Sequence, residues 1–542
     1  MQRVLRTISR GATGVPANKT SATIDLLVPL LTAALVTFPL WFATYPPLLD
    51  YPFHLARMAI LRDLAAGGPM ARYYEFGSFL IPNVGMDVVI LALSGLVGVE
   101  IAGRLFLAAT LALTVTGAGF LARTLHGRTG LAPLLAGLLV FNQTFASGFL
   151  NYLLAVALLP WAVAGFLRLR SRGAAARLAG GALFAGALYF AHIVGFVLYA
   201  AAVAALELHA SLPRLRREPA AAVASLAVAA LPPVLVLALF ALASPTAREA
   251  GSAIGYGGVP TALGFIRWKL LLPLRQLTTD NARLDGISAA AALAIAALVA
   301  VAGRVRIKRE MLAVLAVLLA IMVAAPAELF TARYVDTRLP VAILVLLAGS
   351  LDIAIDRPRM RGLAVAAPLA LLTLRSAVVA RDWIGFDRIE REAAEAYRAL
   401  PPDSILFAAA GGMNPERSFD DTWRPPIAHL AALAVLAGGK FVPAVWAHPA
   451  QQPIRVRPAY ADLYSFQARD ALEMPDTQAF TGFVAEIRDL MSRRRAQGLD
   501  DFGGRVFLVL LFPAALDHPS VPGAREISRH DRFSIYQVTE PG

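Results

Sequence analysis

The chain has no cysteine in its 542 residues, which excludes disulfide bonds, thiolate nucleophiles and cysteine-ligated metal centres. Charge is also scarce, since only 16% of the residues are charged while 58% are hydrophobic. A soluble chain of this size could not cover so much apolar surface. Recurrent runs of Ala, Leu, Val and Ile instead predict transmembrane helices, each of about 20 apolar residues. The composition therefore indicates a polytopic α-helical membrane protein.

The net charge of +13 comes mainly from arginine. The arginines cluster in short segments between apolar runs, such as "RLRSR" at 168–172, "RLRR" at 214–217 and "RVRIKR" at 304–309. This is the pattern of cytoplasmic loops in membrane proteins rather than of a nucleic-acid surface. We therefore expect the lipid bilayer as a partner and no nucleic acid.

The positions of these clusters predict the domain organisation. Residues 1–23 are expected to form a cytoplasmic tail, and residues 24–380 a membrane domain of about 11 to 13 transmembrane helices. External loops are expected at 45–85, 244–286 and 327–338. The apolar run 178–208 is too long for one span and is expected to divide near His192. The crossing count further requires that one apolar segment between 86 and 167 is miscounted, re-entrant or only half-spanning.

The region 381–542 has short apolar stretches and amphipathic patterns in place of long apolar runs, which predicts a periplasmic α/β domain. Apolar stretches such as "RVFLVLLF" are too short to span a bilayer and are typical of buried strands. "PDSILFAAAG" and "DRFSIYQVTE" also predict strands, whereas "FDRIEREAAEAYRAL" and "TGFVAEIRDLMSRRRAQG" predict amphipathic helices.

Ionisable residues collect where the chain first leaves the membrane, in "YPPLLDYPFHLARMAIL" at 45–61. Asp50, His54 and Arg57 would share one face of a helix. A partly buried carboxylate in a proline-stiffened loop is suited to act as a general base, so Asp50 is the first catalytic candidate. Its alternative role is that of a solvated loop residue or a helix N-cap. His54 is the second catalytic candidate, with a packed structural histidine as its alternative.

Other polar residues on the predicted external face are candidates for substrate binding. In "TARYVDTRLP", two guanidinium groups suit a phosphate, and the alternative is internal pairing with the intervening acid. The lysine of "GFIRWKLLLPL" would meet a lipid phosphate or extend along the membrane surface. Elsewhere an asparagine is as suited to cap a helix as to bind a sugar hydroxyl, and a histidine in an apolar hairpin is more often structural than catalytic. The substrate-binding candidates are Arg57, Glu75, Asn151, His192, Lys269, Arg333, Asp336 and Arg338.

Four segments resemble the GT-C superfamily of membrane glycosyltransferases, which includes protein O-mannosyltransferases and the aminoarabinose transferases of lipid A. They are "DYPFHLAR" at 50–57, "SGFLNYLLAVAL" at 147–158, "AHIVGFVLYAAAVAALEL" at 191–208 and "ARYVDTRL" at 332–339. The resemblance implies a GT-C-like fold with a catalytic acid in the first external loop, matched here by Asp50. In the family this acid is the catalytic base or helps to bind a metal, so any divalent metal, Mg²⁺ or Mn²⁺, would lie at Asp50, where Asp50 and His54 alone supply only two ligands.

In this family the donor is usually a polyprenyl-phosphate-linked sugar, and basic residues near the membrane hold its phosphate. Arg333, Arg338 and Lys269 match that role by position. The implied function is an inverting glycosyltransferase at the periplasmic face of a bacterial inner membrane, acting on a glycolipid, polysaccharide or protein. Several members carry a second acid after the first, whereas Tyr51 follows Asp50 here. This departure favours the alternative of a non-catalytic scaffold in envelope polysaccharide assembly or export.

Overall fold

The structure is a computed structural model. It describes residues 19–249, 254–255, 262–279, 281–329, 333–412, 426–467, 472–499 and 502–539. Most of the predicted tail, residues 1–18, lies outside the described residues. The first half of the described chain is helical, and strands are concentrated after residue 400.

Apolar helices form most of the described residues up to 399. The helices of this part are α1 (Lys19–Thr37), α2 (Tyr51–Ala65), α3 (Gly85–Val97), α4 (Val99–His126), α5 (Ala132–Leu138), α6 (Gln143–Ala146), α7 (Leu150–Leu169), α8 (Ala174–Ala191), α9 (Ile193–Ser211), α10 (Pro219–Ala243), α11 (Pro245–Glu249), α12 (Ala262–Gln276), α13 (Ala282–Ala302), α14 (Arg309–Ala324), α15 (Val335–Ser350) and α16 (Pro358–Ala399).

Within the described ranges, seven helices are long and apolar enough to cross a membrane: α4, α7, α8, α9, α10, α13 and α16. Helices α3, α14 and α15 have 13, 16 and 16 residues, so each is shorter than a full span needs. The apolar run 131–149 is not one helix, because it divides into the short helices α5 and α6. Two apolar segments between 86 and 167, this run and α3, are thus shorter than a full span.

The predicted break at His192 is confirmed. Helix α8 ends at Ala191 and α9 begins at Ile193, while His192 between them has extended backbone angles (φ −167°, ψ 133°). Its Nδ1 accepts a hydrogen bond of 3.1 Å from the Val194 N–H, which satisfies one amide in the first turn of α9. The histidine therefore caps the second half of a helical hairpin.

Helix α16 continues for 42 residues from the membrane part into the C-terminal region. The predicted boundary at residue 381 thus falls inside a single helix. The apolar run 362–380 and the charged "FDRIEREAAEAYRAL" segment are both helical, and their helical periods join without a break. One rigid helix therefore links the two parts of the chain.

The C-terminal region contains a five-stranded mixed sheet in the order β10-β11-β9-β6-β8. Strand β6 pairs in parallel with β8 and β9, whereas β11 pairs antiparallel with β9 and β10. Every residue of β6 and β9 is buried, which explains their continuous apolar sequence. The strands are β6 (Ile405–Gly411), β7 (Ile454–Val456), β8 (Leu472–Met474), β9 (Val506–Leu511), β10 (Ala524–Arg529) and β11 (Phe533–Val538), with helices α17 (Leu433–Leu436), α18 (Ala461–Gln467) and α19 (Thr477–Ala496) around them.

The first predicted external loop packs against this C-terminal region. Strand β1 (Tyr74–Phe76) pairs antiparallel with β7, and the ring of Tyr73 stacks on Phe441 with centroids 4.9 Å apart. One continuous apolar core includes residues of α2, α4, β6 and β9. The start of α2, which carries Asp50, is thereby held against the C-terminal region. Two small antiparallel pairs complete the strands, β2 (Ile254–Gly255) with β4 (Glu328–Leu329) and β3 (Gly303–Ile307) with β5 (Leu351–Ile355).

Candidate active site

Asp50 stands at the N-cap position of α2, with Pro52 in the first turn. Its carboxylate makes no capping hydrogen bond to the described first turn of that helix. The backbone is fixed from the other side, because Leu49 N–H donates to the Ala146 carbonyl at 2.9 Å and Asp50 N–H to the Ser147 carbonyl at 3.2 Å. The loop before α2 is thus bonded to the loop between α6 and α7, and the Asp50 side chain is directed to other partners.

Gly148 lies directly against Asp50 and has a left-handed backbone (φ +75°). A Cβ at this position would lie 2.8 Å from the Asp50 backbone nitrogen, closer than a real Cβ approaches. Only glycine combines this backbone angle with this approach at low energy. The "SGFLN" sequence therefore contributes a close backbone support for Asp50.

His54 and Arg57 form a buried chain that leads to Asp87 at the start of α3. Arg57 donates from Nε to Asp87 Oδ1 at 2.6 Å and from Nη2 to Asp87 Oδ2 at 3.2 Å. Nη2 of Arg57 also lies 3.0 Å from His54 Nδ1, and His54 Nε2 lies 3.2 Å from the Gly148 carbonyl oxygen. The helical spacing predicted from the sequence does place these side chains side by side.

The partners of His54 define its protonation. An arginine only donates, so Nδ1 accepts from Arg57, and Nε2 carries the proton donated to Gly148. Burial, and after it the Arg57 guanidinium, holds the pKa of His54 well below its usual range. His54 is therefore neutral with both ring nitrogens engaged, an arrangement that supports the Gly148 backbone and so the position of Asp50.

Arg338, near the start of α15, lies on the other side of this site. Its guanidinium carbon is 3.9 Å from the centroid of the Phe149 ring, and its Nη1 is 3.3 Å from His192 Nε2. Nη2 donates to the Arg333 carbonyl at 3.0 Å, while the Tyr152 hydroxyl donates to the Arg338 carbonyl at 2.8 Å. The Phe149 ring and the bond to the Arg333 carbonyl hold the guanidinium in one position beside the helical hairpin break.

Burial disfavours the Arg338 cation, and the charge of the Asp50 carboxylate acts in the opposite direction and stabilises it. The structure therefore brings together five of the residues selected from the sequence, Asp50, His54, Arg57, His192 and Arg338. They come from α2, the α8–α9 junction and α15, which are distant in sequence.

A sixth member, His429, was not selected from the sequence. Its Nδ1 lies 3.5 Å from Asp50 Oδ1, and the two side chains are only 2% and 7% exposed. The sequence signal was weak, since "PPIAHLAALAVL" is an apolar stretch with one histidine and no other ionisable residue. Its proximity to Asp50 arises from the docking of the C-terminal region on α2, which local patterns do not show.

Two arginine nitrogens of the site make no hydrogen bond to any described residue, although both are buried. They are Nη1 of Arg57 and Nε of Arg338. A buried guanidinium N–H without an acceptor is unfavourable by about 1–3 kcal/mol or more. Each of these two donors could be satisfied by an acceptor oxygen of an anion.

The structure places Glu75 and Asn151 in contacts of their own. Glu75 Oε1 pairs with Arg455 Nε at 2.7 Å across the β1–β7 ladder. Asn151 Oδ1 accepts from the Met86 N–H at 2.7 Å, and its Nδ2 donates to the Asn83 carbonyl. These bonds join the first loop to the C-terminal region and to α7, and they do not link either side chain to Asp50.

Lys269, Asp336 and Arg333 also have protein partners. Lys269 Nζ donates to Asp336 Oδ2 at 2.7 Å and to the Ala325 carbonyl at 2.6 Å, and both side chains of this pair are buried. Arg333 is mostly exposed and lies 3.3 Å from Glu328 Oε1. The predicted pairing of Asp336 thus occurs, with Lys269 of α12 rather than with a flanking arginine.

A metal near Asp50 stays a prediction. In the part of the chain that the structure describes, no three His, Asp or Glu side chains form a group that could hold a metal ion. The partners of the Asp50 carboxylate described above are cationic or histidine groups, so no step of the chemistry below is assigned to a metal.

The fold and the site define a multi-pass membrane protein with a buried carboxylate, histidines and guanidinium groups where the segment after its first helix meets the C-terminal α/β region. The predicted fold class, polytopic and helical with a C-terminal α/β part, is confirmed.

No protein-family model matches the chain, and no curated protein matches it. Among solved structures it is similar to ArnT from Cupriavidus metallidurans bound to undecaprenyl phosphate, with 14% identity and a TM-score of 0.47, over 95% of this chain and 99% of that chain. For ArnT in the apo state the identity is 14% and the TM-score 0.43, over 96% of this chain and 100% of that chain. This similarity concerns the course of the chain and assigns no role to any residue.

Proposed function

We propose that the protein is an inverting glycosyltransferase that uses a polyprenyl-phosphate-linked sugar at the periplasmic face of a bacterial inner membrane. The observation that carries the proposal is the buried Asp50 carboxylate, which lies beside His429 and interacts with the charge of Arg338, next to the helix that carries the bonded pair His54 and Arg57. A base and phosphate-binding cations in one place are what sugar transfer from a lipid phosphate needs. The acceptor would be a hydroxyl group of a glycolipid, polysaccharide or protein.

In the proposed reaction, Asp50 takes the proton of the acceptor hydroxyl, and the acceptor oxygen attacks the anomeric carbon. The bond from that carbon to the phosphate oxygen breaks, so the sugar is transferred with inversion and polyprenyl phosphate leaves. Guanidinium groups stabilise the negative charge that develops on the leaving phosphate. After the step the acceptor proton is on Asp50, and the negative charge is on the leaving polyprenyl phosphate.

We assign the leaving phosphate to Arg338 and Arg57. Both have a buried N–H without a hydrogen-bond acceptor among the described residues. Arg333 and Lys269 support this role less well, because Arg333 is exposed and Lys269 is bonded to Asp336. Burial matters here, since a charge-assisted hydrogen bond is stronger where water is excluded.

The phosphate assignment is tested by measuring how tightly undecaprenyl phosphate binds to the purified protein in detergent. Binding is monitored as the shift in the thermal unfolding temperature. We expect Arg338→Gln to weaken binding on the order of 10- to 100-fold, as for a lost hydrogen bond to a charged group. Arg333→Gln, five residues away and exposed, is the matched control and should bind within about twofold of the wild type. Equal affinities for all three proteins would contradict the assignment.

A further inference from the structure

His429 contacts Asp50 from the C-terminal region. It lies in the 3-10 segment Pro426–Ala432, all of whose residues are buried. This segment and the following helix α17 pack on α2, the helix that Asp50 begins. The contact of 3.5 Å therefore joins two parts of the chain that are far apart in sequence.

The His429 ring is held by two aromatic side chains. Phe53 of α2 stacks on it with centroids 4.2 Å apart and planes at 23°, and Trp446 meets it edge-on at 5.6 Å and 77°. Phe53 and Trp446 also contact each other, at 4.9 Å. Because the ring is packed on its face and its edge, it has one orientation relative to α2, and this orientation directs Nδ1 toward Asp50.

We propose that His429 is a positioning residue that holds the Asp50 carboxylate in the orientation needed for proton abstraction. The inference rests on the proposed function for its role in catalysis, while the contact itself is independent of that function. It implies that the base is complete only when the C-terminal region is docked on α2.

The other groups near Asp50 do not replace this contact. His54 is engaged through both nitrogens, with Arg57 and with the Gly148 carbonyl. Arg338 acts on Asp50 through its charge, but its own position is fixed by Phe149 and the Arg333 carbonyl. His429 is thus the histidine whose ring nitrogen faces the Asp50 carboxylate in the described site.

Two substitutions at this position separate the polar contact with Asp50 from simple packing. In His429→Asn the side-chain amide nitrogen falls near the place of Nδ1, whereas in His429→Gln it falls near the place of Nε2. We expect His429→Gln to lower kcat on the order of 10- to 100-fold with little change in KM for the lipid-linked donor, and His429→Asn to recover most of the loss. His530→Gln, in the same region and away from Asp50, is the matched control.

A merely structural role of His429 would leave unchanged the pH at which the Asp50 carboxyl protonates, so this pH is the second readout. It is measured by infrared difference spectroscopy of the full-length protein, with Asp50→Asn used to identify the band. Losing the polar contact of His429 with the carboxylate should move this protonation to higher pH by about one unit in His429→Gln, and less in His429→Asn.

These readouts separate failure of the inference from failure of the proposed function. If the infrared band titrates identically in the wild type and in His429→Gln, the inference is overturned, whatever the enzyme activity. If the band moves while Asp50→Asn leaves the host glycans unchanged, the contact stands and the proposed function fails. Equal losses in His429→Asn and His429→Gln, with no shift of the band, would reduce His429 to a packing role.

Discussion

At the scale of single residues, the environment of Asp50 is built from backbone as much as from side chains. The Ala146 and Ser147 carbonyls fix its loop, and Gly148 lies directly against its backbone nitrogen. Of the two residues that the sequence places beside Asp50 on α2, His54 donates to the Gly148 carbonyl, whereas Arg57 contacts His54 and Asp87. A helical spacing of ionisable residues can therefore be predicted from sequence, whereas the division of roles among them depends on which partners they meet.

Gly148→Ala tests the backbone support. We expect a loss of stability of at least about 1–2 kcal/mol, because alanine is strained in the left-handed region and its Cβ would contact the Asp50 backbone nitrogen. Sugar transfer should fall by more than the loss of folded protein explains, because Asp50 must move to admit the methyl group. The measurements are thermal unfolding in detergent and sugar transfer in membranes.

The matched control is Gly186→Ala, in the interior of α8, where nothing lies within 4 Å of an added Cβ. This change should leave activity unchanged and leave stability equal or higher by up to about 1 kcal/mol. If Gly148→Ala behaves like the control, the close support of Asp50 is not needed for function.

At the scale of elements, the buried ion pair of Lys269 and Asp336 fastens α12 to α15. Lys269 also reaches the Ala325 carbonyl at the end of α14, and the Trp268 indole N–H donates to Asp336 at 3.1 Å. The amphipathic pattern of α12 was visible in the sequence, but its lysine points toward the protein. Periodicity gives the faces of a helix, and it does not say which face meets lipid and which meets another helix.

Lys269→Met tests this role. Removing one member of a buried pair should destabilise the protein by about 3–5 kcal/mol, because the Asp336 carboxylate is left without its cation. Adding Asp336→Asn should recover a large part of that loss, as measured by thermal unfolding. An unchanged unfolding temperature together with weaker binding of undecaprenyl phosphate would instead make Lys269 a lipid-phosphate ligand.

At the scale of the whole molecule, the class of protein could be predicted from composition. The hairpin break at His192 could be predicted from the length of its apolar run, and the buried strand β9 from its short apolar stretch. Three features could not be predicted in this way: the continuous helix α16, the division of 131–149 into two short helices, and the position of His429 beside Asp50. These features depend on contacts between distant parts of the chain, which hydropathy and local spacing do not record.

The predicted membrane orientation can be tested directly because the chain has no native cysteine. Two single-cysteine variants serve for this, Ser171→Cys and Gln497→Cys. Position 171 lies in the arginine cluster 168–172, and position 497 follows α19 on the surface of the C-terminal region. A membrane-impermeant maleimide applied to intact spheroplasts should label the cysteine at position 497 and not that at 171. Both should react after permeabilisation, and the reverse pattern in intact spheroplasts would place the proposed site in the cytoplasm.

The central claim, that Asp50 is the base of a sugar transfer, is tested most directly by mass spectrometry of the host's glycolipids and envelope polysaccharides. The strains compared are the wild type, the deletion, and the deletion complemented with Asp50→Asn or with Asp356→Asn at matched expression. Asp356 is exposed and pairs with Arg304, so it serves as the control carboxylate. The account predicts that Asp50→Asn loses the same sugar as the deletion, while Asp356→Asn retains it. A product retained in Asp50→Asn but lost in the deletion would contradict the claim and favour a non-catalytic scaffold.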